Sequence, residues 1–343
     1  MRRMIPALSA VLIGGLALTA CQAPNSTSSS SDSPSSSAAM TPAESSAMEN
    51  TGEITVTDSR GNQVTVPADH DSVIVTDNRL FEPLSDWGVT LSAAPKAIMA
   101  KDNPYVADDS IVDLGNHREP NLELAVAADP DIILNGQRFA DQYDQFKQLT
   151  PNAALIDSDI DTKKPLGEEL KRQITLAGQV FGKKAEADKL IADYDKAVER
   201  VKAAYKSDQK VMAVITSGGK VNYAAPGSGR TLGPVFAELG LTPSLETEGS
   251  SDHQGDEISV EAIAASNPEW ILVMDRDAAV GGPDGAEAIP AATVLADSAA
   301  LQNVPAVQKQ QIIYMPNDTY LNEGIQTYTE FFNALADAME KSA

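Results

Sequence analysis

Two arginines occupy matching positions in two similar stretches of the sequence. Residues 121–138 read NLELAVAADPDIILNGQR, and residues 259–276 read SVEAIAASNPEWILVMDR. In each stretch a glutamate is followed by small apolar residues, by a proline seven positions later and by an Ile-Leu pair. Each stretch ends in an arginine fifteen positions after its glutamate, which is Arg138 in the first and Arg276 in the second. A guanidinium is permanently charged and fork-shaped, so it suits an anionic ligand. The repeat therefore predicts two equivalent anion-binding arginines, one in each half of the chain.

A second, weaker pair of arginines extends this symmetry. The run VIVTDNR ends in Arg79, and GSGRTLGPVFAELGL contains Arg230, which precedes a helix that we expect to end at Gly240. The Gly-rich turn at 227–229 can bring the backbone close to a ligand, and Arg230 lies where the helix begins. Arg79 and Arg230 are therefore candidate ligand-binding residues, although Pro-Gly-Ser-Gly-Arg alone is also an ordinary turn.

Short β-rich runs that alternate with helical patterns must position these arginines. The runs lie at 73–76, 131–134, 211–215, 270–274 and 311–315. Such alternation predicts an α/β fold of two lobes, each with a mainly parallel sheet covered by helices. Open α/β sheets present ligand-binding groups at the carboxyl ends of their strands, which is where Arg138 and Arg276 fall.

A long helical pattern separates the two halves. Apolar residues recur with a 3.6-residue period at positions 187, 190, 191, 194, 197, 198 and 201. We predict one uninterrupted helical segment at 168–206, with Gly178 and Gly182 as its weak points, which joins the lobes stiffly. The lobes themselves are expected at 51–167 and 207–343.

The beginning of the chain has the pattern of an exported lipoprotein. Two arginines and a short apolar core precede Leu18-Thr19-Ala20-Cys21, so residues 1–20 are typical of a secretory signal peptide and Cys21 is expected to carry the lipid. Residues 21–50 are rich in Ser, Pro, Ala and Thr, which predicts a disordered tether after the lipid-modified cysteine. We expect an extracytoplasmic protein that its lipid holds on the cell membrane. Cys21 is the only cysteine, so no disulfide can form within the chain.

Composition and motifs exclude several classes of protein. The chain has 49 acidic and 26 basic residues, and its net charge of −23 argues against a nucleic-acid partner or binding to anionic lipid. The sequence contains no Gly-x-Ser-x-Gly, no His-Glu-x-x-His and no P-loop, which argues against an enzyme. Three scattered histidines are too few for a zinc or manganese receptor. We expect a monomer without an intrinsic cofactor.

Several of these stretches, taken together, resemble a known family. They are ITVTDSRGNQVTVPADHDSVIV, NLELAVAADPDIIL, GSGRTLGPVFAELGL, ISVEAIAASNPEWILVMDRDAAV and QKQQIIYM. From about Glu53 to Ala338, the chain is similar to the iron-siderophore substrate-binding lipoproteins of ABC uptake systems, and most similar to receptors for catecholate-type ferric siderophores. The resemblance implies the class III architecture, with two lobes joined by one long rigid helix. It also implies delivery of the ligand to a membrane permease that works with a cytoplasmic ATPase.

The resemblance implies roles for individual residues. Arginines matching Arg138, Arg230 and Arg276 surround the ligand in relatives. His253 and Tyr320 correspond to a histidine and a tyrosine that coordinate iron when the siderophore leaves coordination positions vacant. This chain departs from the family pattern, because Gln254 separates His253 from Gly255, and Gln137 separates Gly136 from Arg138. Each extra residue can turn its neighbour away from the cleft, and a surface-loop histidine is the alternative for His253.

The chemistry of a ferric catecholate fits these arginines. Each catecholate brings two negative oxygens and the iron offsets only three charges, so a complex with several catecholates is an anion. Three guanidiniums in a cleft create a positive field even in an acidic protein. Asp275 and Asp277 flank Arg276 and are expected to orient it. The alternative is that Arg276 forms only a structural salt bridge.

The glutamates of the repeat, Glu123 and Glu261, match the acids with which related receptors dock onto a two-subunit permease. Their alternative role is that of ordinary exposed glutamates in the first turn of a helix, where they complement the helix dipole. Two alternatives to the function also remain: a heme or cobalamin receptor of the same fold, for which His253 or Tyr320 supplies an axial ligand, and a hydroxamate siderophore receptor.

Overall fold

All five predicted strands form, and they divide between two sheets. The computed structural model describes residues 52–342. The predicted signal peptide, Cys21 and the whole predicted tether lie outside the described residues. No helix within the described part of the chain is long and apolar enough to cross a membrane.

The strands and helices follow one another in an α/β order. The strands are β1 Ile54–Thr57, β2 Gln63–Val66, β3 Val73–Val75, β4 Ala93–Ala94, β5 Val112–Asp113, β6 Gly115–Asn116, β7 Glu119–Pro120, β8 Ile132–Asn135, β9 Ala154–Asp157, β10 Val211–Ser217, β11 Lys220–Tyr223, β12 Trp270–Asp275 and β13 Ile312–Tyr314. The helices are α1 Phe81–Asp86, α2 Pro104–Ala107, α3 Leu122–Ala127, α4 Tyr143–Leu149, α5 Leu166–Val180, α6 Lys184–Ala204, α7 Gly233–Leu239, α8 Val260–Ser266, α9 Arg276–Val280, α10 Ala291–Ala296, α11 Pro305–Gln308 and α12 Ile325–Lys341.

The first lobe contains a five-stranded parallel sheet. Its strand order is β5-β4-β3-β8-β9, and the central pair β3 and β8 aligns Val73 with Ile132 and Val75 with Leu134. These strands are short and almost wholly apolar, as expected for parallel strands that helices cover on both faces. The carboxyl ends of β3 and β8 lie side by side, so Arg79 and Arg138 follow neighbouring strands at the same edge.

The second lobe repeats this plan with four strands in the order β11-β10-β12-β13. Strands β10, β12 and β13 are parallel, whereas β11 forms an antiparallel hairpin with β10. Helix α8 precedes β12 as α3 precedes β8, so the two similar stretches of sequence fold into equivalent helix–strand units. The predicted fold class, two α/β lobes with mainly parallel sheets, is confirmed.

The prediction of one uninterrupted connecting helix is wrong. Helix α5 ends at Val180, and α6 begins at Lys184. Gly182 adopts a φ of 64°, the amide of Lys183 donates to the carbonyl of Gly178, and the amide of Gly182 donates to that of Gln179. This is the Schellman arrangement, which ends a helix where glycine supplies a left-handed residue. Helices α5 and α6 then pack closely, since a Cβ at Gly178 would lie 2.7 Å from that of Ala187.

The two lobes are joined by packed helices and by one crossing segment. A continuous apolar core runs from the first lobe through α5, α6 and α12 to one face of the second sheet, and it includes Tyr194, Phe331 and Phe332. The segment 316–324 leads from β13 to α12 and contacts the first lobe, where Asn78 donates to the carbonyl of Leu321. Because close-packed cores resist deformation, we expect only modest movement of one lobe against the other.

Candidate functional site

Three arginines converge on the ring of Tyr320. The guanidinium carbons of Arg138, Arg230 and Arg276 lie 4.8, 4.9 and 4.9 Å from the ring centroid. These distances are within the range of cation–π attraction, which favours a cation near the face of an aromatic ring. The structure therefore brings together four of the residues that the sequence singled out.

Each of the four side chains reaches the cluster from a different element. Arg138 lies in a short 3-10 helix, Gln137–Gln142, that follows β8, and Arg276 is the first residue of α9, directly after β12. Arg230 lies in the turn before α7, a helix that ends at Gly240 as predicted. Tyr320 lies on the crossing segment 316–324. The cluster thus combines the carboxyl edges of both sheets with the chain that passes between the lobes.

The buried carboxylate of Glu323 holds Arg230. The Nε and Nη2 atoms of Arg230 donate to the two carboxylate oxygens at 2.9 and 3.1 Å, and the hydroxyl of Thr231 donates to the same carboxylate at 2.6 Å. Glu323 is only 6% exposed. Burial alone would raise the pKa of Glu323, but the ion pair and hydrogen bonds with Arg230 outweigh burial, so the pKa lies below its usual value. Glu323 is therefore an anion at neutral pH.

Glu323 also links residues with unusual backbone conformations. Gln137 from the first lobe donates to its carboxylate at 3.4 Å. Gln137 and Thr231 have φ values of 47° and 63°, a region that non-glycine residues rarely adopt and that is especially unfavourable for a β-branched residue. Each is the chain neighbour of a cluster arginine, Gln137 of Arg138 and Thr231 of Arg230. The contacts with Glu323 thus help to fix both arginine-bearing turns.

Arg276 pairs with its neighbour Asp277. Its Nη1 atom lies 3.2 Å from Oδ1 of Asp277, and the other carboxylate oxygen accepts from the amide of Gly218 at 2.6 Å. The expectation that Asp277 orients the guanidinium agrees with this geometry. Asp275 does not contact the guanidinium among the described interactions, because its carboxylate accepts from the amides of Ala278 and Ala291 and so caps α9.

Arg138 differs from the other two arginines in its partners. Its Nη2 atom donates to the carbonyl of Tyr320 at 2.9 Å, and within residues 52–342 no carboxylate lies at ion-pair distance from it. Burial, together with the positive charges of Arg138 and Arg118, lowers the pKa of the nearby His117. Arg138 is thus the member of the cluster whose charge is least compensated.

Arg79 lies in a buried network beside this cluster. It is 7% exposed, and its Nη1 atom lies 3.1 Å from Asp159 and 3.9 Å from Asp77. Burial raises the pKa of Asp77 to about 6 although Arg79 opposes the shift. The contacts of Arg79 are those of a structural ion pair, and none of its described contacts is with the ring of Tyr320.

The structure does not join His253 to the cluster. Its side chain is 42% exposed, and its Nδ1 atom lies 3.9 Å from Asp252. No hydrogen bond or ion pair of the described part of the chain connects His253 with Tyr320 or the three arginines. The same residues contain no group of three histidine, cysteine, aspartate or glutamate side chains placed to hold a metal ion.

Two cavities flank the arginine cluster. One, of 390 Å³, lies between the lobes and is lined by Arg79, Gln137, Arg230 and Glu323 among others. The second, of 770 Å³, lies in the second lobe, where Arg276 and the residues on both sides of His253 line it. Arg230 thus lines one cavity and Arg276 the other.

The repeated glutamates occupy equivalent surface positions. Glu123 and Glu261 are the second residues of α3 and α8, and both are exposed. The side chains of Asn121 and Ser259 cap the two helices and accept from the backbone amide three residues on, each at 3.1 Å. The sequence repeat thus places one exposed carboxylate at the equivalent position of each lobe.

Sequence reasoning missed Glu323 and gave Gln137 no contact of its own, whereas it placed His117 and Arg118 on a loop that can face the cleft, with a solvated surface pair as the alternative. Glu323 lies three residues after Tyr320, but its contacts with Arg230 and Gln137 span 93 and 186 positions. Gln137 had a signal, because it is the extra residue between Gly136 and Arg138. His117 lies in the loop between β6 and β7, and the effect of Arg138 on its pKa shows that the two side chains are close.

Comparison with known families and structures agrees with this architecture. A model of the family described as periplasmic binding protein matches residues 73–319, and the chain belongs to this family. The petrobactin-binding protein YclQ of Bacillus subtilis is 26% identical over 285 residues, which cover 82% of this chain and 86% of the relative. The ferric-anguibactin-binding protein FatB of Vibrio anguillarum is 28% identical over 236 residues, with coverage of 66% and 70%.

Solved structures show the same fold. The crystal structure of YclQ superposes with a TM-score of 0.71 at 24% identity and covers 84% of this chain and 99% of that one. The periplasmic catecholate-siderophore binding protein VctP from Vibrio cholerae gives a TM-score of 0.69 at 21% identity, with coverage of 84% and 99%. At these identities the likeness establishes the fold, and the function must be argued from the site.

Proposed function

We propose that the protein is an extracytoplasmic receptor that binds a ferric siderophore, of an anionic catecholate type, and delivers it to an ABC permease for iron uptake. The observation that carries this proposal is the convergence of Arg138, Arg230 and Arg276 on Tyr320, where the two lobes meet. Names of relatives support it, since they are called petrobactin- and ferric-anguibactin-binding proteins.

The chemistry of the cluster suits such a ligand. Guanidinium groups are weakly hydrated, stack on aromatic rings and hydrogen-bond to anionic oxygens, so they can contact both the rings and the oxygens of a catecholate. The ferric complex is the cargo, and no intrinsic cofactor is part of the proposal. We assign ligand contact to Arg138, Arg230 and Arg276, whereas Arg79 supports the site through its ion pairs.

Iron coordination belongs to this proposal only for siderophores that leave positions vacant. Tyr320 is 5% exposed beneath the guanidiniums, so its phenolate reaches iron only if the arginines move apart. His253 lies on a half-exposed loop beside the second cavity, and this loop would have to turn inwards. Imidazole and phenolate both remain chemically suitable ligands for Fe(III).

The proposal includes attachment to the membrane and docking to the permease. The lipid on Cys21 would hold the receptor on the outer face of the membrane, and the exposed glutamates Glu123 and Glu261 would contact the two permease subunits, one from each lobe. Their equivalent positions in α3 and α8 support this role. The receptor would act as a monomer, and its family is one of binding proteins rather than enzymes.

A titration of residues 22–343, which lack the lipid, tests the function. Quenching of the fluorescence of Trp87 and Trp270 would be measured with ferric tris-catecholate, bis-catecholate and hydroxamate complexes, hemin and cobalamin. Saturable binding of a ferric catecholate supports the proposal. Tight binding of hemin or cobalamin without binding of any ferric siderophore would overturn it, and preference for a hydroxamate complex would overturn the catecholate assignment.

A further inference from the structure

The arginine cluster contains its own counter-anions. Glu323 accepts two hydrogen bonds from Arg230, and Asp277 lies 3.2 Å from Arg276. Both carboxylates are buried, with relative exposures of 6% and 3%. Three guanidiniums and two carboxylates leave a formal charge of plus one around Tyr320. The site is therefore much less positive than its three arginines suggest.

These carboxylates are held so firmly that a ligand cannot easily displace them. The carboxylate of Glu323 accepts hydrogen bonds from three residues, Arg230, Thr231 and Gln137. Glu323 also lies on the segment that crosses between the lobes. Asp277 accepts from the amide of Gly218 as well as from Arg276. Removing a buried carboxylate from its partners would leave a desolvated charge unpaired, which is costly. Both anions are thus expected to stay when a ligand binds.

We propose that Glu323 and Asp277 set the charge of the ferric complex that the site accepts, favouring complexes with one or two negative charges over those with three. This inference rests on the proposed function and concerns the selectivity of the same site. A complex with three negative charges would enter a site that offers one net positive charge, so that two charges would stay uncompensated away from water. A complex with one or two negative charges leaves at most one negative charge uncompensated.

The neighbouring groups strengthen this argument. Arg79 is paired with Asp77 and Asp159, so this group of three side chains adds no net positive charge beside the cluster. Burial and two nearby arginines keep His117 from gaining a proton at neutral pH, because they lower its pKa. Arg138 is then the one cluster arginine without a carboxylate partner among the described residues, and it supplies the net charge.

The test uses hexadentate ligands in which catecholates are replaced one at a time by hydroxamates. Their ferric complexes carry charges from minus three to zero while the iron stays fully coordinated, so Tyr320 and His253 cannot contribute by binding iron. Dissociation constants are measured by tryptophan quenching for the wild type, Glu323→Gln and Asp277→Asn. In each variant a neutral amide of similar shape replaces the carboxylate, so one negative charge is removed and the size of the side chain is kept.

The wild type is expected to bind a complex of charge minus one or minus two at least as tightly as the tris-catecholate. In each variant the ratio of the dissociation constants of the minus-two complex and the tris-catecholate should move about tenfold in favour of the tris-catecholate, because these two complexes differ by one unit charge, about 10 Å from the substituted group at an effective dielectric constant of about 20. Thermal melting of each variant checks its fold, and Asp277→Asn decides the question if Glu323→Gln does not fold.

Two results would overturn the inference. One is a wild type that binds the tris-catecholate tenfold or more tightly than every less charged complex. The other is an unchanged ratio in folded variants. Failure of the wild type to bind any member of the series is a different outcome, because it removes the proposed function together with the selectivity.

Discussion

Arg138 and Arg276 lie at almost the same distance from Tyr320, 4.8 and 4.9 Å, although the two arginines are 138 positions apart in the sequence and belong to different lobes. Each follows a parallel strand at its carboxyl end, β8 in one lobe and β12 in the other. The internal repeat thus brings one arginine from each lobe to the same ring. Tyr320 itself has no counterpart in the repeat.

The ring of Tyr320, rather than its hydroxyl, should matter for a fully coordinated ferric complex. Tyr320→Phe keeps the ring and is expected to change the dissociation constant of a hexadentate complex by less than about threefold. Tyr320→Leu removes the cation–π contacts and should weaken binding by about tenfold, since each contact contributes about 0.5–1 kcal/mol. Fluorescence titration measures the dissociation constant of each variant. Equal losses of affinity in Tyr320→Phe and Tyr320→Leu would contradict the role assigned to the ring.

The hydroxyl should matter only if the siderophore leaves iron positions vacant. With a ferric bis-catecholate, Tyr320→Phe should then lose a visible charge-transfer band and weaken binding by about tenfold or more, since even the outer-shell partners of metal ligands contribute about this much. An unchanged spectrum in Tyr320→Phe would show that the phenolate does not coordinate iron.

The break between α5 and α6 should make Gly182 sensitive to substitution. A valine there must adopt a φ of 64° and should lower the free energy of unfolding by about 1–2 kcal/mol, whereas asparagine should cost less. Urea unfolding measures both variants. A Gly182→Val variant as stable as the Asn variant would contradict the account of this turn.

Asp77 should give stability a distinctive pH dependence. Its pKa is about 6 in the folded protein and near 3.8 in the unfolded chain, so the folded state holds the proton between these values. The contribution of Asp77 to stability should therefore fall as the pH rises from 4 to 6, by about 3 kcal/mol at most.

The comparison of the wild type with Asp77→Asn isolates this effect, because other carboxylates titrate in both proteins. The free energy of unfolding of the variant minus that of the wild type should increase from pH 4 to pH 7, measured by urea unfolding at each pH. A constant difference across this range would show that Asp77 does not titrate there.

Glu123 and Glu261 should affect delivery but not binding. Charge reversal to arginine at either position is expected to reduce uptake of labelled ferric siderophore by cells at least tenfold, while the dissociation constant of the purified receptor stays the same. Glu199→Arg is the matched control, because Glu199 is an exposed helical glutamate on α6. Normal uptake with both glutamates reversed would exclude the docking role.

The sequence predicted the parts of the fold that depend on local pattern. The five strands, the repeated helix–strand unit and the end of α7 at Gly240 all follow from nearby residues. Gly182 was recognised as a weak point, but a continuous helix was favoured because the periodicity of α6 is strong and the local cost of one glycine is small. The break depends on how α5 folds back onto α6, which is a tertiary relationship.

The same distinction applies to the site. The three arginines and Tyr320 were found because repeat spacing and family resemblance pointed to them. Glu323 was not, since a single glutamate near a helix start has no distinctive pattern until Arg230 and Thr231 lie against it. The burial of Arg79 between two aspartates likewise depends on strands that meet only in the folded sheet.

The most direct test of the central claim is the dissociation constant of a ferric catecholate for Arg138→Leu and Arg276→Leu, compared with Arg200→Leu. Arg200 lies on α6 and forms ion pairs with Asp337 and Glu340, outside the site. The account predicts weakening on the order of tenfold to a hundredfold for each site variant, as expected for loss of a charge-assisted contact, and no change for Arg200→Leu. Unchanged binding in both site variants would show that the arginines around Tyr320 do not hold the ligand.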